Sequence, residues 1–227
     1  MTARLIPETV VEGKRLGRHV NHDPRSRDFP VRVDEAVTLK KVLWSRRVAP
    51  FDQGQLGSCT GNAITGVLDT SPFRAKFPKP FYETMAVSIY EAATLIDNAP
   101  GSYPPDDTGS DGLSVCKVAK TRGFISGYTH AFSLAQALQA LMSGPVITGV
   151  SWYEGFDNPD PSGLVQIAGQ VRGGHEFEVL GYDPATDLLT AVNSWGKSWG
   201  VSGRFHFTSK TWARLLAEQG DCTVPLP

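Results

Sequence analysis

The sequence predicts an α+β protein built as two lobes with a cleft between them. Helix-period apolar patterns occupy the stretch from Ser58 to Gly144, strand-period patterns occupy the stretch from Pro145 to Thr208, and three segments rich in chemistry-bearing residues are divided between the two. A length of 227 residues fits one domain or two small ones. Apolar residues at 41% and charged residues at 20% exclude a wholly disordered polymer, while 23 glycines and 16 prolines predict many turns and long connections.

Residues 1–42 read as an N-terminal extension and residues 43–227 as the folded domain. Between His19 and Pro30 charges and prolines interrupt both periodicities, so this stretch is either an extended arm on the body or a partly disordered tail. A helical lobe is expected over about 50–144. Its first helix begins near Cys59, with Ala63, Ile64, Val67 and Leu68 on one stripe, and Gly61 and Gly66 each weaken it by about 1 kcal/mol unless packing supports them. Tyr82, Met85, Ala86, Ile89, Tyr90 and Ala93 mark a second helix, and Leu113–Lys120 a third, weaker one. Ser133 with Gln136 forms a capping box for a fourth, which Gly144-Pro145 stops. A β-rich lobe over about 145–208 then carries strands at 146–150, 176–181, 188–192 and 204–208, followed by a terminal helix near 210–219.

Twenty-two basic against 23 acidic residues leave a net charge of −1, which gives no basic field for nucleic acid. No apolar run of signal-peptide or membrane-spanning length occurs, so the chain reads as a soluble protein made in the cytosol, with no membrane partner and a monomeric state expected. Three cysteines without a C-x-x-C make a poor disulfide framework and a poor zinc site, although a Cys116–Cys222 bridge stays open. His19, His22, His130 and His206 lack metal-ligand spacing, and no metal or organic cofactor is expected. Asp106 and Asp107, in a Pro- and Gly-rich loop, read as solvated carboxylates.

Three segments carry chemistry. Asp52-Gln-Gly-Gln-Leu-Gly-Ser-Cys59 is a glycine-rich turn that delivers a thiol to a helix start, where the helix dipole and free N–H groups favour the thiolate. Arg172-Gly-Gly-His175-Glu176 brings an imidazole into a strand. Asn193-Ser-Trp195-Gly places an amide before an aromatic lid. Singly, each has a structural explanation: a buried small thiol, a strand-start histidine, a turn.

In this order the three segments resemble those of the papain-type cysteine peptidases, more the divergent bacterial and phage-borne branch than the secreted plant and lysosomal enzymes. Gln53-Gly-Gln-Leu-Gly-Ser-Cys59 is similar to the family's Gln-Gly-x-Cys-Gly-Ser-Cys, and Asn193-Ser-Trp-Gly matches its asparagine motif. His175 and Asn193 follow Cys59 by 116 and 134 positions, the first a little short of the usual separation of about 130–150. The resemblance covers about Leu43–Thr208. It implies a Cys59 nucleophile forming a thioester, His175 as its acid–base partner, Asn193 as the orienter of His175, and Gln53 as an oxyanion donor beside the Cys59 backbone N–H. It further implies a polypeptide substrate, Trp195 shielding the His–Asn bond, Gly174 preceding the histidine, and Gly109 offering backbone bonds to a substrate in antiparallel pairing.

The chain departs from the family pattern at Leu56, which stands where a half-cystine is usual, and at Thr60, which stands where an aromatic residue is usual. Glu176 follows His175 where a small residue often lines a substrate pocket; pointed into the cleft it would favour a basic side chain, pointed outward it would be a solvated carboxylate. Two other functions share this pattern: an amidase or acyltransferase working on a cell-wall crosslink or a glutamine amide, and a catalytically silent binding protein of the same fold. The resemblance also makes a bacterial cytosol or a phage-associated setting the expected one.

Overall fold

In the computed structural model, which describes residues 3–34 and 36–227, the elements follow one another as β1 (Arg4–Leu5), β2 (His19–Val20), β3 (Val42–Leu43), α1 (Cys59–Leu68), α2 (Glu83–Thr94), α3 (Gly112–Thr121), β4 (Gly127–His130), α4 (Leu134–Leu141), β5 (Val146–Tyr153), β6 (Val171–Asp183), β7 (Leu188–Val192), β8 (Arg204–Thr208), α5 (Ser209–Ala217) and β9 (Asp221–Leu226). Among the described residues, β4, β9, β5, β6, β7 and β8 lie side by side in that order in one antiparallel sheet, and β3 pairs with β6 as a seventh strand.

α1 is buried on every side, so its apolar stripe of Ala63, Ile64, Val67 and Leu68 is only part of its contact surface. Its glycines are close-approach positions. A Cβ on Gly61 would strike Ala86 O and touch Tyr90 Cβ of α2, and a Cβ on Gly66 would strike the Arg46 guanidinium. Ile64, Val67 and Leu68 pack with Ile89, Ala93, Val115 and Ala119 into one core, and α1 lies between that core and β6. Asp111 caps α3 by accepting from Ser114 N–H at 2.9 Å, and Ser133 caps α4 by accepting from Gln136 N–H at 3.2 Å, the bond the Ser–Gln pattern calls for.

The second core covers the sheet and includes Trp152, Phe177, Phe205, Phe207 and Trp212. Ala137, Leu138, Ala140 and Leu141 of α4 also belong to it. That helix was expected in the helical lobe; its apolar face instead closes over β5 and β6. Besides the short β1, β2 and β3, two longer strands lie outside those the sequence indicates, β4 and β9. They pair with each other, and β9 also pairs with β5. Pro225 hid β9 from a strand-propensity reading, and its residues 222–225 are all buried, so no in–out alternation marks it. Cys59, Cys116 and Cys222 are all free and buried, so the Cys116–Cys222 bridge does not form.

The extension is an ordered arm. β1 and β2 pair antiparallel, closing residues 6–18 into a loop. Farther along, Val31 N–H donates to His130 O at 2.8 Å and Gln139 Nε2 donates to Asp34 O at 2.9 Å. The loop of residues 6–18 lies across the groove between α1 and β6.

Candidate active site

Cys59 opens α1, and the turn before it is locked from two directions. Gly57 N–H donates to both oxygens of Asp107, at 3.0 and 2.9 Å, and Gln53 Nε2 donates to Leu56 O at 2.7 Å. Asp107 is exposed, as expected, but it is also tied down: it accepts from Tyr90 Oη at 2.7 Å and pairs with Arg15 at 3.2 Å. Asp106, its neighbour, is likewise exposed.

The Asn193 segment is stitched to the same turn. Gln53 N–H donates to Ser194 O at 2.9 Å, Ser194 Oγ donates to Gln53 Oε1 at 2.5 Å, and Gly196 N–H donates to Phe51 O at 2.8 Å. His175, in the middle of β6, brings Nε2 to 2.7 Å from Asn193 Oδ1. Trp195 lies over this pair with its ring 5.1 Å from the imidazole, and Trp152 closes the other side edge-on at 4.7 Å. The Cys59 thiol rests against the backbone amide of Glu176, the residue after His175. Cys59 thus lies against β6 beside the residue that follows His175, and the buried Gln53 ties the turn before Cys59 to the segment that carries Asn193.

The sulfur–imidazole bond is not made: His175 Nδ1 is buried without a hydrogen-bond partner. Burial pushes the Cys59 thiol well above its ordinary value, and it pulls His175 down to about 3 against the raising effect of the Asn193 bond, with Arg172 also lowering it. Burial therefore disfavours the charged form of both groups.

The arm packs against this region. Leu16, fully buried, lies over the site, and its carbonyl is 3.5 Å from Gln53 Nε2. Gly17 and Arg18 N–H donate to Gly174 O at 3.0 and 2.9 Å. Ser110 N–H donates to Gly17 O at 2.9 Å and His19 N–H donates to Ser110 O at 2.7 Å, a parallel bridge. The chain-pairing residue of this loop is thus Ser110. Gly109, its neighbour, has φ +75° and no room for a Cβ beside Gly17 O. Upstream, Trp195 Nε1 donates to Arg15 O at 2.8 Å, and the buried Arg172 donates to the carbonyls of Thr9 and Lys14 at 2.8 and 2.6 Å. Nothing in the sequence pattern of residues 8–18 marked them as cleft-filling; Leu16-Gly17, an apolar residue beside a glycine amid charges, was the available signal.

Glu176 points neither to open solvent nor to an open cleft. Its carboxylate is buried in a pocket lined by Gly112, Gly149 and Asp221, into which Arg18 extends.

The fold and the site together define the papain-like cysteine protease fold. No family model matches the chain. It is similar to xylellain, a cysteine protease from Xylella fastidiosa, with a TM-score of 0.76 at 20% identity over 96% of this chain and 99% of that one. It is also similar to procathepsin L 3 of the Tenebrio molitor larval midgut, with a TM-score of 0.65 at 16% identity over 95% of this chain and 76% of that one. By sequence it is 31% identical over 191 residues to gamete and mating-type specific protein A of Dictyostelium discoideum, covering 74% of this chain but 42% of that protein. An uncharacterized peptidase C1-like protein of Acanthamoeba polyphaga mimivirus is 24% identical over 221 residues, which is 80% of this chain and 71% of that protein. The chain therefore spans less than half the length of the Dictyostelium relative. No helix among the described residues is long and apolar enough to cross a membrane.

Proposed function

We propose that the chain is a cysteine endopeptidase that acts through Cys59, His175 and Asn193 and is held latent by its own residues 14–19. The observation that carries this reading is the buried 2.7 Å bond from His175 Nε2 to Asn193 Oδ1 beneath Trp195, with Cys59 at a helix N-terminus against the neighbouring residue.

With the arm displaced, water re-enters and the desolvation that disfavours the charged form of both groups is relieved. The Cys59 proton then passes to His175, whose orientation Asn193 fixes by accepting from Nε2–H. The thiolate attacks the substrate carbonyl carbon, and the oxyanion receives hydrogen bonds from Gln53 Nε2 and the Cys59 backbone N–H. The imidazolium protonates the leaving amine as the thioester forms. A water then gives its proton to His175, attacks the thioester and returns Cys59. The arm itself escapes cleavage because it pairs in parallel with Ser110, the reverse of the antiparallel sense expected of a substrate.

The test is labelling of Cys59 by an epoxysuccinyl inhibitor, read by intact mass, together with cleavage of casein. Labelling and cleavage are expected once the arm is loosened, and both are expected to vanish in His175→Ala. A loosened chain whose Cys59 reacts at the same rate with and without His175, and which cuts nothing, would refute the reading.

A further inference from the structure

Arg18 is a fully buried arginine, and it belongs to the arm rather than to the body. Its Nη2 donates to Gln219 O at 2.8 Å and pairs with Asp221 Oδ2. Its Nε shares the space above Gly149 with Glu176 Oε2, so that a methyl group on Gly149 would strike both. Gly112 likewise leaves room for Glu176 Oε1. The pocket is thus walled by two glycines and floored by two carboxylates, directly behind the Cys59–Glu176 contact. Both Glu176 oxygens are buried without a hydrogen-bond partner, as is Asp221 Oδ1. Acids so placed are costly unless a cation accompanies them. Burial first, and then Asp221, push the Glu176 carboxyl well above the usual range, while Arg18 draws it back.

We propose that this pocket is an arginine subsite of the cleft: Arg18 occupies it in the latent chain, and a peptide substrate carrying arginine one residue before the scissile one occupies it in the active chain. The inference rests on the peptidase reading above. Asp221 and the Gln219 carbonyl both accept from Nη2 of Arg18, while its Nε lies beside Glu176 without bonding to it; a planar group with several N–H donors suits this arrangement better than an ammonium does. Expulsion of the arm leaves both carboxylates without a cation, so a basic substrate completes the opening and an apolar one does not.

The experiment uses the full chain carrying Gly17→Val, which expels the arm, together with Arg18→Ala, which empties the pocket, with coumarin amides acetyl-Xaa-Gly in which Xaa is Arg, Lys, citrulline, Leu or Phe. Citrulline keeps the shape of arginine and removes its charge. The expected kcat/KM is about tenfold or more higher for Arg than for citrulline or Leu, with Lys between, given the strength of charged hydrogen bonds. Adding Asp221→Asn or Glu176→Gln brings the Arg-to-citrulline ratio toward one. Preference for Leu or Phe, or an Arg-to-citrulline ratio near one in the parent, overturns the subsite. If no amide is cut, calorimetry with acetyl-Arg-Gly-amide and its citrulline counterpart separates the two ideas. Selective binding of the arginine peptide upholds the subsite and sinks the peptidase reading; equal or absent binding of both overturns the subsite.

Discussion

Trp195 binds the arm and the candidate catalytic pair at once: its indole N–H donates to Arg15 O at 2.8 Å while its ring lies 5.1 Å from the imidazole of His175. Covering the cleft and drying the site are therefore one structural event. Whatever lifts the arm also uncovers His175, which ties the protonation of the pair to the position of residues 14–19.

Gly17 is the narrowest point of that contact. Its φ is +142°, and a Cβ there would sit 2.7 Å from Gly57 Cα. The turn below it is held by Asp107 and does not retreat, so the arm must give way. Gly17→Val should expel the arm at a cost of about 1–3 kcal/mol of packing strain, equivalent to about 5–150-fold in the open population. The expected result is faster epoxide labelling of Cys59 by a factor in that range, read by mass at pH 7. Unchanged labelling would show that the arm does not limit access.

The pH dependence follows from His175, whose pKa is near 3 in the closed chain and 6.5 when free. A histidine with a lowered folded pKa leaves the unfolded chain holding more protons between those values, so stability falls as pH drops from 6.5 toward 3. The contribution is fully present above pH 6.5. Acid also favours the arm-open state, in which His175 can charge. In proton NMR the His175 ring should keep its neutral shift from pH 7 down to about 4 in the parent chain and titrate at higher pH in Gly17→Val. In thermal melts the acid-side loss of stability should be shallower for His175→Gln than for the parent between pH 6.5 and 4. Equal slopes would contradict the assignment.

The local settings of Cys59, His175 and Asn193 were legible because each sits in a short segment whose structure is largely self-determined: a glycine-rich turn before α1, the interior of β6, and the residue just past the end of β7. What was not legible depended on distant partners. Asp107 looked only solvated because its acceptor role is set by Gly57, Tyr90 and Arg15, none of them near it in sequence. Glu176 was open between two readings because strand alternation fixes which face it takes but not what lies across that face. β9 was missed because Pro225 breaks the propensity pattern, although pairing with β5 stops at Thr223, so that Pro225 has β4 on one side only and is tolerated there. The arm was open between order and disorder because its fixing groups, Arg172, Trp195 and Gly174, belong to the opposite lobe.

Asp107 joins three units: the turn before Cys59, the α2 tyrosine and the arm. Asp107→Ala leaves Gly57 N–H and Tyr90 Oη without their acceptor, at a cost of about 1–3 kcal/mol. For a chain of this size that is a fall in melting temperature of about 2–12 °C. Because Arg15 is released as well, labelling of Cys59 should rise together with the loss of stability. Asp107→Asn, which keeps one acceptor oxygen, should fall between the two. A melting temperature equal to that of the parent in Asp107→Ala would show that water replaces the carboxylate at no cost.

Gly66 sets two opposing effects against each other inside α1. An exposed helical glycine changed to alanine gains about 0.5–1 kcal/mol of stability. Here the added methyl meets the Arg46 guanidinium and lies 2.9 Å from Glu178 Oε2. These two side chains form an ion pair that is 3% and 1% exposed, and Thr70 Oγ1 donates to the other Glu178 oxygen at 2.6 Å. Arg46 cannot swing aside without leaving Glu178 as an uncompensated buried charge, which costs about 3–5 kcal/mol. Steric displacement therefore outweighs helix propensity, and Gly66→Ala should destabilise by more than 1 kcal/mol in urea unfolding. Arg46→Met alone should cost about 3–5 kcal/mol on the same ground, and adding Glu178→Gln should recover part of that loss by removing the orphaned charge. A stabilised Gly66→Ala would mean that the ion pair has room to move, and with it the joint between α1 and β6 on which the placement of Cys59 beside His175 depends.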